Sequence, residues 1–233
     1  MNMKSGNAIK AVFFDRDGTL TYTNPEKIKL RNELISGLSG KPFTLTYERS
    51  MQLFSQSNYH LVKTLEDEKE FFRRYYRCLL IDEGVTENAD KYADILLKEL
   101  WCNNDRLLYP EAKDVLDYFR NEGFLMGVIS DTSPSLQYSL EQLGLGEYFH
   151  SYTASSLVGA QKPSPIIYRS ALQSLNVTAA ESLYIDDCYE EASGAREMGF
   201  TSFYLDRKGE MWGDWIVHDL EEYADYVRNK GKD

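Results

Sequence analysis

Cysteine is scarce in this chain of 233 residues, which has only three: Cys78, Cys102 and Cys188. An odd number cannot close a disulfide framework, and the spacing matches no metal-binding pattern. Free thiols are therefore expected at all three positions. Cys188 follows a pair of aspartates, but no histidine lies nearby in the sequence to activate it. We interpret it as a packing residue rather than a nucleophile.

Long apolar runs and positive charge are also lacking. No run reaches the roughly 20 apolar residues that span a bilayer, and the polar opening MNMKSGNAIK has no cleavable apolar segment. The sequence predicts a soluble, cytoplasmic protein with no membrane partner. Its net charge of −11 also argues against a nucleic-acid partner, because such binding depends on lysine and arginine. Any phosphate site must therefore supply its own positive charge.

Helix and strand patterns alternate from Pro110 to the end of the chain. Helices are predicted at residues 111–121, 134–143, 166–175 and 190–198. Strands are predicted at FLMGVIS, SLYIDD, FTSFYL and residues 150–154, with a last short strand and helix after Trp215. Together with the opening run AVFF, this alternation is typical of a parallel sheet covered by helices. We predict an α/β fold whose Rossmann-like parallel sheet core comprises residues 1–21 and 106–233.

Between these two parts the sequence turns helical. Helical spacing is predicted over residues 25–37, from Thr44 through Met51, Phe54 and Leu61, over residues 65–83, and from Thr86 to Trp101. We find four helical patterns and no strand pattern. The sequence therefore predicts an all-helical domain, residues 22–105, inserted into the α/β core.

Two aspartates directly follow the first apolar run, in AVFFDRDGTL. Carboxylates at the end of a buried strand are costly unless a cation, a donor network or a reacting partner offsets the burial. Phosphoryl chemistry with a divalent metal explains the pair best. Asp15 would be the nucleophile and Asp17 the proton carrier, while Gly18 lets the chain turn sharply. The alternative is that both aspartates serve only as turn residues.

Further polar residues occupy the ends of other predicted strands. Ser130 ends FLMGVIS, Lys162 lies in the loop after the next strand, and Asp186 and Asp187 end SLYIDD. Ligands of open parallel sheets bind beyond the carboxyl ends of the strands, so these side chains are expected at one rim. Each also has a structural alternative: Ser130 as a helix cap, Lys162 as a solvated loop charge, and one aspartate at the next helix N-terminus.

The four segments DRDGT, VISD, QKPSP and YIDDCYEEASGA occur in the order of the four motifs of the haloacid dehalogenase-like superfamily, which this chain resembles. The inserted helices are similar to the cap of the subgroup that includes phosphoglycolate phosphatase and the sugar phosphomutases such as β-phosphoglucomutase. Two positions of the fourth motif depart from the family pattern. Ile185 replaces a frequent glycine, and Glu191 replaces a frequent aspartate.

The resemblance implies a Mg²⁺ site. One oxygen of Asp15, one of Asp186 and the backbone carbonyl of Asp17 would hold the metal, and either Asp187 or Glu191 would act as the second acid of the fourth motif. Asp15 would form an aspartyl-phosphate. Ser130 would donate a hydrogen bond to a phosphoryl oxygen, and the Lys162 ammonium would stabilise the phosphoryl group. Thr19 would orient Asp17.

A Mg²⁺-dependent phosphatase of a small phosphorylated metabolite is therefore the predicted function. A phosphomutase of sugar phosphates is the first alternative, and a non-catalytic metabolite-binding protein the second. In relatives that remove halogens the second aspartate of the first motif is absent, so Asp17 favours phosphate. The arginines of the insert (Arg49, Arg73, Arg74 and Arg77) either contact the substrate or form a solvated helix face. A monomer and a homodimer are both compatible with the sequence.

Overall fold

The structure is a computed structural model that describes residues 8–56, 62–103 and 105–230. Leu61, which the sequence assigns to the insert, lies outside these residues. The described chain divides into two compact units. The sheet unit consists of the described parts of Met1–Tyr22, Leu108–Thr132 and Gly144–Asp233, and the helical unit of those of Thr23–Leu107 and Ser133–Leu143.

The described residues contain strands β1 (Ala11–Phe14), β2 (Thr21–Thr23), β3 (Arg106–Leu108), β4 (Leu125–Ser130), β5 (Ser151–Ala154), β6 (Ser182–Asp186), β7 (Thr201–Leu205) and β8 (Ile216–Val217). They also contain helices α1 (Pro25–Ser39), α2 (Tyr47–Gln56), α3 (Leu65–Asp82), α4 (Ala89–Leu100), α5 (Ala112–Asn121), α6 (Leu136–Gln142), α7 (Ser155–Val158), α8 (Pro165–Leu175), α9 (Tyr189–Glu197) and α10 (Leu220–Lys230). None of these helices is both long and apolar enough to span a membrane.

Six parallel strands form the central sheet of the sheet unit. Their order is β5-β4-β1-β6-β7-β8, so the first strand of the chain lies between β4 and β6. This arrangement brings the carboxyl ends of β1, β4 and β6 to one edge. The predicted α/β fold is thereby confirmed, with helices packed on the sheet.

Side chains that alternate across β1 build an aromatic layer on each face of the sheet. Phe13 faces the side of α8, and its ring centroid lies 6.0 Å from that of Phe200. Phe14 faces the side of α5 and α10, where the rings of Phe119 and Tyr223 each lie 5.9 Å away. Both β1 phenylalanines are fully buried. The run before Asp15 is thus a strand with apolar cover on both faces, as its unbroken hydrophobicity predicts.

The helical unit has its own core. The apolar faces of its first four helices meet around buried residues that include Ile35, Leu53, Phe71, Leu79 and Leu96. Helix α3 begins at a capping box: the Thr64 hydroxyl accepts the Asp67 N–H, and the Asp67 carboxylate accepts the Thr64 N–H. The helical pattern predicted for the insert is confirmed in α1 to α4.

Helix α6 belongs to the helical unit, although it follows β4 in the sequence. The link is Glu68 of α3, whose side chain is buried. Its carboxylate accepts hydrogen bonds from the Ser135 N–H at 3.0 Å, the Ser135 hydroxyl at 2.7 Å and the Trp101 indole N–H at 3.1 Å. A charged hydrogen-bond acceptor therefore joins three separate segments of the unit.

Three of the strands and helices named above differ from the sequence prediction. Strands β2 and β3 pair in a second, two-stranded sheet, whereas no strand was predicted at residues 21–23 or 106–108. Helix α7 was also not predicted. Elements of three or four residues are too short to show a hydrophobic period, and this explains why the sequence pattern missed them.

Candidate active site

Asp15 and Asp186 lie side by side at the carboxyl edge of the sheet. The N–H of Asp15 donates to the carbonyl of Ile185 at 2.9 Å, which extends the β1–β6 pairing by one residue. Both aspartates are buried, with 5% and 1% of their surface exposed. Two ionised carboxylates repel each other when both are buried, and a cation close by would stabilise the pair.

Lys162 supplies this positive charge. Its Nζ atom lies 2.7 Å from Oδ1 of Asp15, 2.7 Å from Oδ2 of Asp186 and 2.7 Å from Oε2 of Glu191. Burial lowers the pKa of this lysine, but the surrounding carboxylates outweigh that effect and hold the pKa well above its ordinary value. Lys162 is therefore held in its ammonium form between Asp15, the candidate nucleophile, and Asp186.

Two further groups hold this arrangement in place. The Tyr184 hydroxyl donates to Oδ2 of Asp186 and lies 3.3 Å from Nζ of Lys162, while the Cys188 N–H donates to Oδ1 of Asp186 at 2.8 Å. Oδ1 of Asp131 accepts the Lys162 N–H at 3.1 Å. Neither Tyr184 nor Asp131 is among the site residues predicted from the sequence. The two-residue period of β6, which places positions 184 and 186 on one face, was the available signal for Tyr184.

Carboxylates outnumber cations around Lys162. Asp15, Asp186 and Asp187 each offer an oxygen, and these three atoms lie within 4.8 Å of one another. Loss of hydration and the neighbouring charge of Asp186 raise the pKa of Asp187 to about 6. Loss of hydration likewise raises the pKa of Glu191 to about 7, although Lys162 opposes the shift. Such mutual repulsion among oxygen ligands is what a divalent cation relieves.

Asp17 lies on the turn that follows β1, with its side chain 40% exposed. Oδ1 of Asp17 accepts the Thr21 hydroxyl at 2.9 Å, and Oδ2 accepts an N–H of the Arg16 guanidinium at 2.7 Å. The prediction that Thr19 orients Asp17 is not what the structure shows: among the described residues the buried Thr19 hydroxyl has no hydrogen-bond partner, and Thr21 takes the role. The difference is one of turn geometry: the isolated bridge between residues 17 and 21 brings Thr21, not Thr19, beside the carboxylate.

Ser130 ends β4 at the same edge of the sheet and is 2% exposed. Ser130 pairs in register with Ala154 of β5. On its other side β4 pairs with β1, the strand that Asp15 follows. Ser130 and Asp186 thus end strands, and Asp15 and Asp17 directly follow β1. Lys162 lies in the loop between α7 and α8, because the short helix α7 separates it from β5.

The arginines of the insert each pair with an acid of the helical unit. Arg73 contacts Asp94 at 2.7 Å, Arg77 contacts Asp90 at 2.9 Å, Arg74 lies 3.6 Å from Glu70, and Arg49 pairs with Asp82. These contacts favour the interpretation as a solvated helix face. The three cysteines form no disulfide within the described part of the chain, as predicted. Burial raises the pKa of Cys188 to about 11, which leaves it protonated at neutral pH.

Comparison with known proteins shows which family model and which relatives the chain matches. A model of the haloacid dehalogenase-like hydrolases matches residues 9–199, a range that includes every site residue named above. The chain is similar to a glyceraldehyde 3-phosphate phosphatase of Pyrococcus furiosus, with 27% identity over 94% of this chain and 88% of that protein. It is also similar to a phosphoglycolate phosphatase of Neisseria meningitidis, with 25% identity over 97% of each.

Solved structures show the same architecture. A phosphatase of this superfamily from Thermococcus onnurineus matches with a TM-score of 0.64 and 20% identity, over 94% of this chain and 98% of that one. A 2-haloacid dehalogenase from Pseudomonas syringae matches with a TM-score of 0.67 and 22% identity, over 95% and 99%. Because phosphatases and dehalogenases match equally well, these likenesses establish the fold, and the site residues must decide the reaction.

Proposed function

The chain belongs to the haloacid dehalogenase-like hydrolases, and we propose that it is a Mg²⁺-dependent phosphatase of a small phosphorylated metabolite. The observation that carries the proposal is the position of Lys162, whose Nζ lies 2.7 Å from both Asp15 and Asp186. A buried ammonium at this point is suited to a transferred phosphoryl group, because it offsets the charge on the phosphoryl oxygens beside an anionic nucleophile. The phosphatase names of the relatives support the same reaction.

Mg²⁺ fits the donor set at this edge. The clustered oxygens of Asp15, Asp186 and Asp187 are all carboxylate, and hard oxygen donors are the ligands that Mg²⁺ prefers. Asp15, Asp186 and the backbone carbonyl of Asp17 would hold the ion, with Asp187 or Glu191 as the additional acid. When bound, the ion supplies positive charge that orients the phosphoryl oxygens and offsets their negative charge.

The residues divide the reaction between them. An oxygen of Asp15 attacks phosphorus as the bond from phosphorus to the leaving oxygen breaks, which gives an aspartyl-phosphate. Asp17 gives its proton to the leaving oxygen and later takes one from the water that cleaves the acyl phosphate. Ser130 donates a hydrogen bond to a phosphoryl oxygen. Lys162 keeps the phosphoryl group and the Asp15 carboxylate together against their repulsion.

The presence of Asp17 favours phosphate over a halogenated acid as substrate. Formation of the aspartyl-phosphate expels an alkoxide that needs a proton, and Asp17, whose side chain is 40% exposed, is the proposed donor. A phosphomutase would use the same residues but return the phosphoryl group to another hydroxyl. Product analysis therefore has to separate the two.

The test is phosphate release from p-nitrophenyl phosphate, glyceraldehyde 3-phosphate and phosphoglycolate, with Mg²⁺ and with EDTA. We expect turnover with Mg²⁺, its loss in EDTA, and a fall of roughly 10³-fold or more in Asp15→Asn. Acid quenching should trap labelled phosphate on the wild type but not on this variant. Asp114→Asn, an exposed carboxylate of α5, is the matched control.

Three results would count against the proposal. Turnover by Asp15→Asn near the wild-type rate removes the covalent scheme. If a bisphosphorylated sugar is also supplied, the formation of isomerised sugar phosphate without phosphate release indicates the mutase instead. Binding of phosphorylated metabolites without any turnover, in wild type and control alike, indicates a non-catalytic protein.

A further inference from the structure

Arg207 makes an unusual set of contacts just after β7. Its Nε–H donates to the carbonyl of Gly18 at 2.9 Å, and an Nη2–H donates to the carbonyl of Thr19 at 2.7 Å. An Nη1–H donates to Oε1 of Glu111 at 2.8 Å. The guanidinium also lies over the ring of Tyr109, with its central carbon 3.4 Å from the ring centroid. Three N–H groups and one face of this planar group are thus used within the sheet unit.

These partners come from two distant parts of the sequence. Gly18 and Thr19 belong to the turn after β1, whereas Tyr109 and Glu111 follow β3, after the whole helical insert. A direct hydrogen bond between Tyr109 N–H and the Leu20 carbonyl, at 3.1 Å, joins the same two segments. Arg207 therefore ties together the segments at which the sheet unit is interrupted by the insert.

The loop that presents Arg207 is itself fixed. The buried carboxylate of Asp206 accepts the N–H of Lys208 at 3.2 Å and the N–H of Met211 at 2.6 Å. The Asp206 N–H donates to the carbonyl of Val217 in β8 at 2.8 Å. A residue held on both sides by backbone hydrogen bonds can impose its position on the turn that it contacts.

That turn carries Asp17. Gly18 has a positive φ of 87°, and its N–H donates to the Thr21 carbonyl at 2.7 Å. The Thr21 hydroxyl in turn donates to Oδ1 of Asp17. With the carbonyls of residues 18 and 19 held by the guanidinium, the turn presents Thr21 to the Asp17 carboxylate in one orientation.

We infer that Arg207 is a positioning residue for Asp17: it holds the turn after β1 so that the Asp17 carboxyl meets the leaving oxygen of the substrate. The inference rests on the proposed phosphatase reaction. Displacement of the Asp17 carboxyl would lower the rate of the step that needs its proton, because a general acid acts only within hydrogen-bond reach of its target. The effect of Arg207 is therefore specific to substrates that need the proton.

The experiment compares two leaving groups in Arg207→Met, Arg207→Lys and the wild type. p-Nitrophenolate departs without protonation because it is a weak base, whereas an alkoxide from glycerol phosphate needs the proton of Asp17. We compare kcat/KM, which reports steps through departure of the leaving group. In Arg207→Met we expect kcat/KM for the alkyl phosphate to fall roughly tenfold more than for the aryl phosphate. Arg207→Lys should recover part of the lost kcat/KM for the alkyl phosphate.

Arg228→Met is the matched control. Arg228 also stacks on a tyrosine, 4.4 Å from the Tyr118 ring, and pairs with Asp225 and Glu221, but it lies on α10. Its removal should leave the ratio between the two substrates unchanged. Hydrogen exchange gives a readout without turnover: the amides of residues 18, 20 and 21 should exchange faster in Arg207→Met and not in Arg228→Met.

The outcomes separate the two levels of inference. If the wild type hydrolyses neither substrate, the proposed phosphatase reaction fails. If the wild type hydrolyses both and Arg207→Met loses both by the same factor, or leaves both unchanged, Arg207 does not act through Asp17. Selective loss for the alkyl phosphate, together with faster exchange in the turn, supports the positioning role.

Discussion

A Cβ atom placed on Gly18 would lie 1.9 Å from Oδ2 of Asp187. The residue after the proton carrier therefore has to be glycine for two separate reasons. Its φ of +87° is one that other residues rarely adopt, and the Asp187 carboxylate occupies the space where a side chain would begin. The first and fourth motifs meet at this point.

Gly18→Ala should consequently damage the site as well as the fold. We expect a stability loss of more than about 1 kcal/mol from the backbone conformation, and a loss of Mg²⁺ binding as Asp187 is displaced. Chemical unfolding and titration calorimetry measure the two effects. Gly123→Ala is the matched control, since Gly123 has a φ of +80° but open space around its Cα. Equal loss of Mg²⁺ binding in both variants would show that the contact with Asp187 is irrelevant.

The stability of the metal-free protein should fall as the pH rises from about 4 to about 7. Asp187 and Glu191 have ordinary pKa values of 3.8 and 4.5, but in the folded protein these reach about 6 and about 7. The folded state then keeps protons that the unfolded chain has already released, so rising pH favours unfolding. Mg²⁺ should remove the fall because it favours the ionised carboxylates.

Urea unfolding at several pH values, with Mg²⁺ and with EDTA, measures this slope. Asp187→Asn removes one of the acids whose pKa is raised in the folded protein, and we expect a shallower fall in EDTA. Glu190→Gln, an exposed neighbour on the same loop and helix, serves as the control and should keep the wild-type slope. A slope that is the same in Asp187→Asn and insensitive to Mg²⁺ would place the coupled protons elsewhere.

Tyr184→Phe should weaken Mg²⁺ binding by roughly tenfold, because partners that orient a metal-binding carboxylate tune its affinity. The lost hydroxyl donates to Oδ2 of Asp186 and lies 3.3 Å from Nζ of Lys162. Tyr168→Phe removes a hydroxyl from an adjacent ring, whose centroid lies 5.8 Å away, but that hydroxyl donates to the backbone carbonyl of Glu191. Calorimetry should give a near wild-type affinity for Tyr168→Phe. Similar affinities in both variants would contradict a specific role for Tyr184.

The sequence predicted the residues whose placement follows from local rules. Asp15 and Asp186 end strands with strong apolar patterns, and parallel strands deliver such ends to one edge, so their proximity could be anticipated. Lys162 was identified by its order among the motifs. The contact of Thr21 with Asp17 depends on the backbone geometry of the turn. The contact of Arg207 with the same turn joins residues that are 189 positions apart in the sequence. Hydrophobic periodicity carries no information about either contact.

The separation into units shows the same limit. Residues 111–121 and 134–143 both follow the insert and have equally helical patterns, yet α6 belongs to the helical unit while α5 packs on the sheet. What distinguishes α6 is a hydrogen-bonded carboxylate on α3, some 67 residues earlier in the chain. Such partnerships are selected by packing, which a single sequence does not display.

Glu68→Gln should therefore destabilise the helical unit. The carboxylate accepts the Ser135 N–H and hydroxyl and the Trp101 indole N–H, and an amide would set its own N–H₂ group against one of these buried donors. The expected cost is about 1–3 kcal/mol of unfolding free energy, with faster amide exchange in α6. Glu66→Gln is the control, because that side chain is 85% exposed on the same helix, and its change should cost less than about 0.5 kcal/mol. Equal effects of the two substitutions would mean that the buried carboxylate does not hold α6 in place.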